Sequence, residues 1–355
     1  MKVAILNDTH AGIRNSSDIF ADNADKFYSE VFFPHCLENN IKRIVHLGDV
    51  FDNRKFINFK SLNTYRKHFL SKLREYGMHM DVIPGNHDVF FKNTNDLNSL
   101  KELLGHYMNE ITIHMEPTVQ NYDGFNMALL PWICAENQER SLEFIRTCKA
   151  DWLGGHLELK GFDVIKGIPS HHGLDYKIFS RFEQVISGHF HTKSEKDNIR
   201  YLGSQMEFFW NDAHDNKCFH VLDTSTRELE AISNPHTLFY RLVYDDTKHD
   251  YMDYLQHNDM FDNHFVKVVV INKKDLYVFD KVIEAIQNRP IHDLKVAENF
   301  DEFLGENVED DEISVEDTGD LLDNYVDAVD TDLDKERIKV QMRNLLIEAQ
   351  TLEVA

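Results

Sequence analysis

Val3-Ala4-Ile5-Leu6-Asn7-Asp8-Thr9-His10 opens the chain with four apolar residues that give way abruptly to side chains able to ligate a metal. An unbroken apolar run suits a strand buried on both faces, and its abrupt polar end is where such a strand opens into a site. The pattern recurs. Residues 44–47 run into Gly48-Asp49-Val50-Phe51-Asp52, and residues 80–83 pass through Pro84 into Gly85-Asn86-His87-Asp88. Residues 152–153 lead to Gly155-His156, and residues 185–186 to Gly188-His189-Phe190-His191. A further run, 127–130, ends at Pro131-Trp132. Helical spacing fills the intervals at 18–39 (Phe20, Phe27, Val31, Phe32, Leu37) and 61–76 (Leu62, Tyr65, Phe69, Leu70, Leu73). Strand–helix alternation over the first half predicts a layered α/β domain.

Later elements are sparser. Strands are expected at 198–202, 218–222 and 228–232, the last two forming a hairpin through Asp223-Thr224-Ser225-Thr226. The chain is expected to leave this domain near Asn234-Pro235, giving a catalytic domain over 1–235. A small α+β module at 236–297 follows, with a strand at 265–271, a helix at 276–287 and a strand at 293–296. Residues 298–334 carry sixteen Asp or Glu and no Lys or Arg. We read 298–320 as an acidic linker and 321–355 as a helical segment whose apolar face docks on a partner or packs back on the catalytic domain.

The net charge of −23 argues against a protein that coats nucleic acid passively, because such proteins use Lys and Arg against phosphates. Without residues 298–334 the net charge is −7, so the acidity does not exclude a nucleic-acid substrate. The four cysteines form no CxxC pair and are read as reduced thiols. No apolar run is long enough for a membrane span, and the opening run is too short for a signal peptide, so the expected location is the cytoplasm.

Each polar cluster is weak evidence alone, since an Asp after a strand is a common turn residue. Together they place Asp8, His10, Asp49, Asn86, His156, His189 and His191 at strand ends, where α/β sheets hold their ligands. Two divalent ions about 3.5–4 Å apart need a bridging carboxylate, for which Asp49 is the natural candidate. Imidazole with carboxylate favours Mn, Fe or Zn over Mg or Ca. Two carboxylates against two dications leave a positive field suited to a phosphodiester and to an acidified water. His87 is placed to act as general acid, with Asp52 accepting its hydrogen bond. Arg54, Lys55 and Lys60 are candidate phosphate contacts, and His171-His172 sit in a loop.

In this order, DxH, GDxxD, GNHD, GH and GHxH resemble the calcineurin-like metallophosphoesterase superfamily. Length, small module and helical tail look like its SbcD-type double-strand-break repair nucleases. Asp8-Thr9-His10, Gly48-Asp49-Val50-Phe51-Asp52 and Leu130-Pro131-Trp132 look most like the recombination endonuclease subunits of T-even-type phages. The resemblance implies a β-sandwich flanked by helices, a capping domain over 236–297 and C-terminal helices. It also implies one metal on Asp8, His10, Asp49 and His191 and another on Asp49, Asn86, His156 and His189, with Mn2+ as the ion. Further implications are endo- and exonuclease action on DNA, an SbcC-type coiled-coil ATPase bound through 321–355, and a homodimer within a heterotetramer. Two other readings of the residues stay open: a stand-alone phosphatase or phosphodiesterase with the same site, and a recombination scaffold.

Overall fold

The computed structural model describes residues 1–251 and 259–297, with 334–335, 337–339 and 341. The acidic linker and most of the expected partner-binding helices therefore lie outside the described residues. The first strands, β1 (Lys2–Leu6), β2 (Arg43–His46), β3 (His79–Val82) and β4 (Ile111–Ile113), are parallel neighbours in one sheet. The next, β5 (Thr118–Tyr122), β6 (Phe125–Leu130) and β7 (Trp152–His156), begin a second sheet. After a small hairpin, β8 (Asp163–Ile165) and β9 (Ile168–Pro169), that sheet is completed by β10 (Gln184–Gly188), β11 (Ser194–Lys196) and β12 (Ile199–Tyr201). The hairpin β13 (Cys218–Asp223) and β14 (Glu228–Ser233) returns to the first sheet, where β13 pairs antiparallel with β1. The orders are β14-β13-β1-β2-β3-β4 and β11-β12-β10-β7-β6-β5.

The continuous apolar runs are explained by what lies on each face. Val3, Ile5, Val45 and Leu47 point between the sheets against Met127, Leu129, Trp152 and Ile186. Ala4, Leu6 and Ile44 point outward under helices carrying Phe27, Phe32 and Phe69. Ala128, Leu130, Leu153 and Val185 face a third cluster with Phe162 and Phe179. Apart from Lys2, Arg43 and Asn126 near their starts, the residues of β1, β2, β6 and β7 are buried on both faces, so strict alternation is not required. The result is an α/β sandwich of two six-stranded sheets flanked by helices, as expected.

The two expected helices form, with a difference. Asp18–Lys26 continues through a π-helical turn at Phe27–Phe32 into Phe33–Glu38. Pro34 offers no N–H to the carbonyl of Glu30, four residues back, and the wider turn makes room for its ring. The second runs from Phe59–Tyr65 through a similar turn at Arg66–Leu70 to Ser71–Tyr76, and Gly77 ends it in the left-handed region.

Beyond Asn234 the chain builds a parallel sheet of β15 (Phe239–Asp245), β16 (Phe265–Asn272) and β17 (Asp293–Ala297), with the helix Leu276–Gln287 crossing from β16 to β17. Asp275 caps that helix by accepting from Val278 N at 3.1 Å. The sequence reading missed β15, whose Arg241 interrupts the apolar pattern; its guanidinium donates to the Trp210 carbonyl at 2.9 Å. Phe239 and Phe265 stack at 5.4 Å and meet Trp210 and Phe20, which seats the small sheet on the sandwich. All four cysteines are free and buried.

Candidate metal centre

The carboxyl ends of β1, β2, β3, β7 and β10 converge, bringing together all seven residues singled out as ligands. In one group, His10 Nε2 lies 3.1 Å from His191 Nε2, and His191 Nε2 lies 3.9 Å from Asp8 Oδ1. In the other, Asn86 Oδ1 lies 2.9 Å from His156 Nε2 and 3.0 Å from His189 Nδ1. Between them stands Asp49, whose Oδ2 is 3.2 Å from His156 Nε2 and 3.9 Å from His10 Nε2. Asp8, His10, Asp49 and His156 are almost wholly buried.

Four of these residues, Asp8, His10, Asp49 and His189, hold positive φ (45°, 43°, 55° and 86°). Such backbone costs on the order of 1–3 kcal/mol per non-glycine residue and persists where surrounding structure enforces it, often at functional sites. The motif glycines clear the space. A Cβ on Gly85 would fall 2.0 Å from Asp49 Oδ1, and one on Gly48 would fall 2.7 Å from His156 Nδ1.

Hydrogen bonds fix the orientation of these side chains. His156 Nδ1–H donates to the Leu47 carbonyl at 2.8 Å, turning Nε2 toward Asp49 and Asn86. The Asp8 carboxylate accepts from His189 N at 3.0 Å and from Asn7 Nδ2 at 2.6 Å. Asp88 accepts from the backbone N–H groups of Asp49 (2.8 Å), Val50 (3.1 Å), Phe51 (3.2 Å) and Gly85 (3.0 Å), clamping the second and third motif loops together. Lys217, itself buried, donates to the His191 carbonyl at 3.0 Å and pairs with Asp212, which accepts from Phe208 N at 2.8 Å and Phe209 N at 3.0 Å. Phe208 and Phe209 lie against His191, at ring-centroid distances of 5.5 and 5.8 Å. Asn7, Asp212 and Lys217 carried no sequence signal, and Asp88 was quoted within its motif without a role.

Charge follows burial and neighbours. Burial alone would raise Asp49, but the imidazoles of His156, His87 and His10 outweigh it and hold the carboxyl well below the usual range. Burial raises Asp8 and drives His189 down to about 3 and His191 well below its ordinary value, leaving both imidazoles neutral. Burial would lower His10 and His156, but Asp52 and Asp49 beside them outweigh it, raising His10 and lifting His156 to about 9; a bound cation would take the place of those protons. Two carboxylates, four imidazoles and an amide oxygen, aimed at common points, fit divalent cations. The donor atoms of Asp8, His10 and His191 lie within 4.8 Å of one another, as do those of Asp49, His156 and His189.

His87 lies beside this centre. Its N–H donates to Asp49 Oδ1 at 2.8 Å, and its Nδ1 lies 2.5 Å from the backbone carbonyl of Asp52. Ligand atoms of His87, Asp52 and His10 also lie within 4.8 Å of one another. The Asp52 carboxylate lies 3.5 Å from His10 Nδ1. Arg54 donates to the Val89 carbonyl, Lys60 pairs with Asp18, and His171 and His172 are exposed loop residues.

The calcineurin-like phosphoesterase family model matches residues 1–193, a span that includes all seven ligand candidates. This chain belongs to the calcineurin-like phosphoesterases. As one of them it is a metal-dependent phosphoesterase. Exonuclease subunit 1 of Enterobacteria phage T4 is a relative, 32% identical over 354 residues, covering 98% of this chain and 99% of its own. A solved structure described as a novel archaeal phosphodiesterase covers 66% of this phosphoesterase and 100% of its own chain, at 15% identity and a TM-score of 0.32. That likeness is too loose to bear on chemistry. No described helix of the phosphoesterase is long and apolar enough to cross a membrane.

Proposed function

We propose that this phosphoesterase is a DNA nuclease subunit, hydrolysing phosphodiester bonds at the Asp8–His191 centre as an exonuclease and endonuclease in recombination and repair. The observation that carries this reading is near full-length similarity to a phage exonuclease subunit together with a complete set of ligand side chains. Asp8, His10, Asp49 and His191 would hold one ion and Asp49, Asn86, His156 and His189 the other, with Mn2+ favoured by the mixed nitrogen and oxygen donors. Bound there, divalent ions polarise a phosphodiester and acidify water.

The chain's own residues orient and protonate. His87, with Nδ1 anchored on the Asp52 carbonyl, delivers a proton from Nε2 to the departing 3′ oxygen. Asp52 supports both that ring and His10. Asp88 and Gly85 keep the Asp49 loop from moving when charge develops.

The relative is named as a subunit, which supports a chain that works in an assembly. We place a coiled-coil ATPase of the SbcC type on residues 321–355 and a second copy of this chain beside the helical stretch that begins at Phe59. That side chain, 88% exposed near an exposed Phe56, supports the second assignment. The setting is the cytoplasm of a phage-infected cell. The domain boundaries proposed are 1–235, 236–297, 298–320 and 321–355.

The test is Mn2+-dependent cleavage of end-labelled single- and double-stranded DNA, with and without the candidate ATPase and ATP. Release of nucleotides from single strands without ATP is expected, and duplex cleavage should need the ATPase. Hydrolysis of small phosphomonoesters alone would overturn the nuclease reading in favour of a stand-alone phosphatase.

A further inference from the structure

A cleft of about 260 Å³ opens beside the metal centre, lined by Trp132, Ala135, Gln138, His156, Glu158 and Leu174 among others. His156 belongs both to this cleft and to the ligand set, so whatever fills the cleft lies next to the reacting phosphate. A dry cavity of about 150 Å³ holds benzene, so this one has room for a larger, bicyclic ring.

Its wall is built rigidly. Trp132 N donates to the Pro84 carbonyl at 2.9 Å. The Trp132 carbonyl accepts from Asn95 Nδ2 at 2.8 Å and from Asn137 Nδ2 at 2.9 Å. Asn95 and Asn137 are both buried. Two buried amides on one carbonyl fix the residue before any ligand arrives, which lowers the ordering cost of binding. The indole also packs on His189 at 5.3 Å and His156 at 6.0 Å. Aromatic and aliphatic walls suit a flat π face, and Gln138 also lines the cleft.

We infer that this cleft takes the nucleobase of the nucleotide whose phosphate lies at the metal centre, stacking it on Trp132. The inference rests on the nuclease reading. Base–aromatic stacking tolerates any sequence and is worth about tenfold or more in binding.

The full-length protein with Mn2+ is given single-stranded oligonucleotides that carry either a base or a tetrahydrofuran abasic residue at the cleaved position. Loss of the base should lower kcat/KM about tenfold, mainly through KM. Ala135→Trp, which fills the cleft, should bring the ratio close to one, and Gln138→Trp provides a second filling variant should the first fail to fold. Independently of any variant, dAMP should quench tryptophan fluorescence at concentrations about tenfold lower than deoxyribose 5-phosphate requires for any response. Equal cleavage of both oligonucleotides by wild type, or a ratio that persists in the filled variants, overturns the pocket and leaves the nuclease standing. Equal fluorescence responses to the two ligands also overturn it. Cleavage of neither oligonucleotide removes the nuclease reading and the pocket with it.

Discussion

At the scale of single residues, Asp49 is where geometry, charge and backbone coincide. Its carboxylate faces imidazoles from both ligand groups, accepts from His87 N, and sits on a left-handed backbone that Gly85 makes possible by having no Cβ. Gly85→Ala should therefore displace the carboxylate and weaken Mn2+ binding by at least tenfold, measurable by calorimetric titration, with a smaller effect on fold than on affinity. Asp49→Ala should abolish binding at both positions. His87→Ala should bind Mn2+ as wild type does yet lose about 10²–10⁴ of diester hydrolysis, the usual range for a general acid. Wild-type rates for His87→Ala on single-stranded DNA would remove it from that role.

At the scale of elements, the seven residues that converge at the centre were legible because each follows an apolar run, and the sandwich explains why those runs do not alternate. The supporting groups were not legible. Lys217 reaches the His191 carbonyl 26 residues away, and Asn7 Nδ2 reaches the Gly203 carbonyl 196 residues away. Periodicity carries no information about such pairings. The π-helical turns escaped for a related reason, since one widened turn barely alters apolar spacing. Strand β15 was hidden by Arg241, which is polar in sequence yet partly buried against Trp210. The Lys217–Asp212 pair is the element-scale counterpart of the Asp49 loop: it ties the β10 exit to the Phe208–Phe209 turn. Lys217→Ala leaves Asp212 buried without its cation and should cost about 3–5 kcal/mol of stability, read as a lower denaturant midpoint. A loss below about 1 kcal/mol would show that the pair is dispensable.

At the scale of the whole molecule, the small sheet is joined to the sandwich through a buried carboxyl. Glu207 accepts from Leu238 N at 2.6 Å and Phe239 N at 2.9 Å, while its Oε1 is buried without a hydrogen bond. Burial, only partly offset by those N–H groups, pushes it up from 4.5 to about 7. A carboxyl raised on folding binds its proton more tightly in the native state, so its contribution falls as pH rises from about 4.5 through about 7 and is flat above. The loss is on the order of 3 kcal/mol. Glu207→Gln should remove that slope in urea unfolding between pH 5 and 8, and an unchanged slope would place the effect elsewhere. The whole account depends on the centre holding divalent ions on the residues named. The most direct measurement is the number of Mn2+ ions bound per chain, by titration and by electron paramagnetic resonance. Two ions, with the exchange-coupled signal of a pair sharing Asp49, are predicted. A single uncoupled ion, or none, would contradict it.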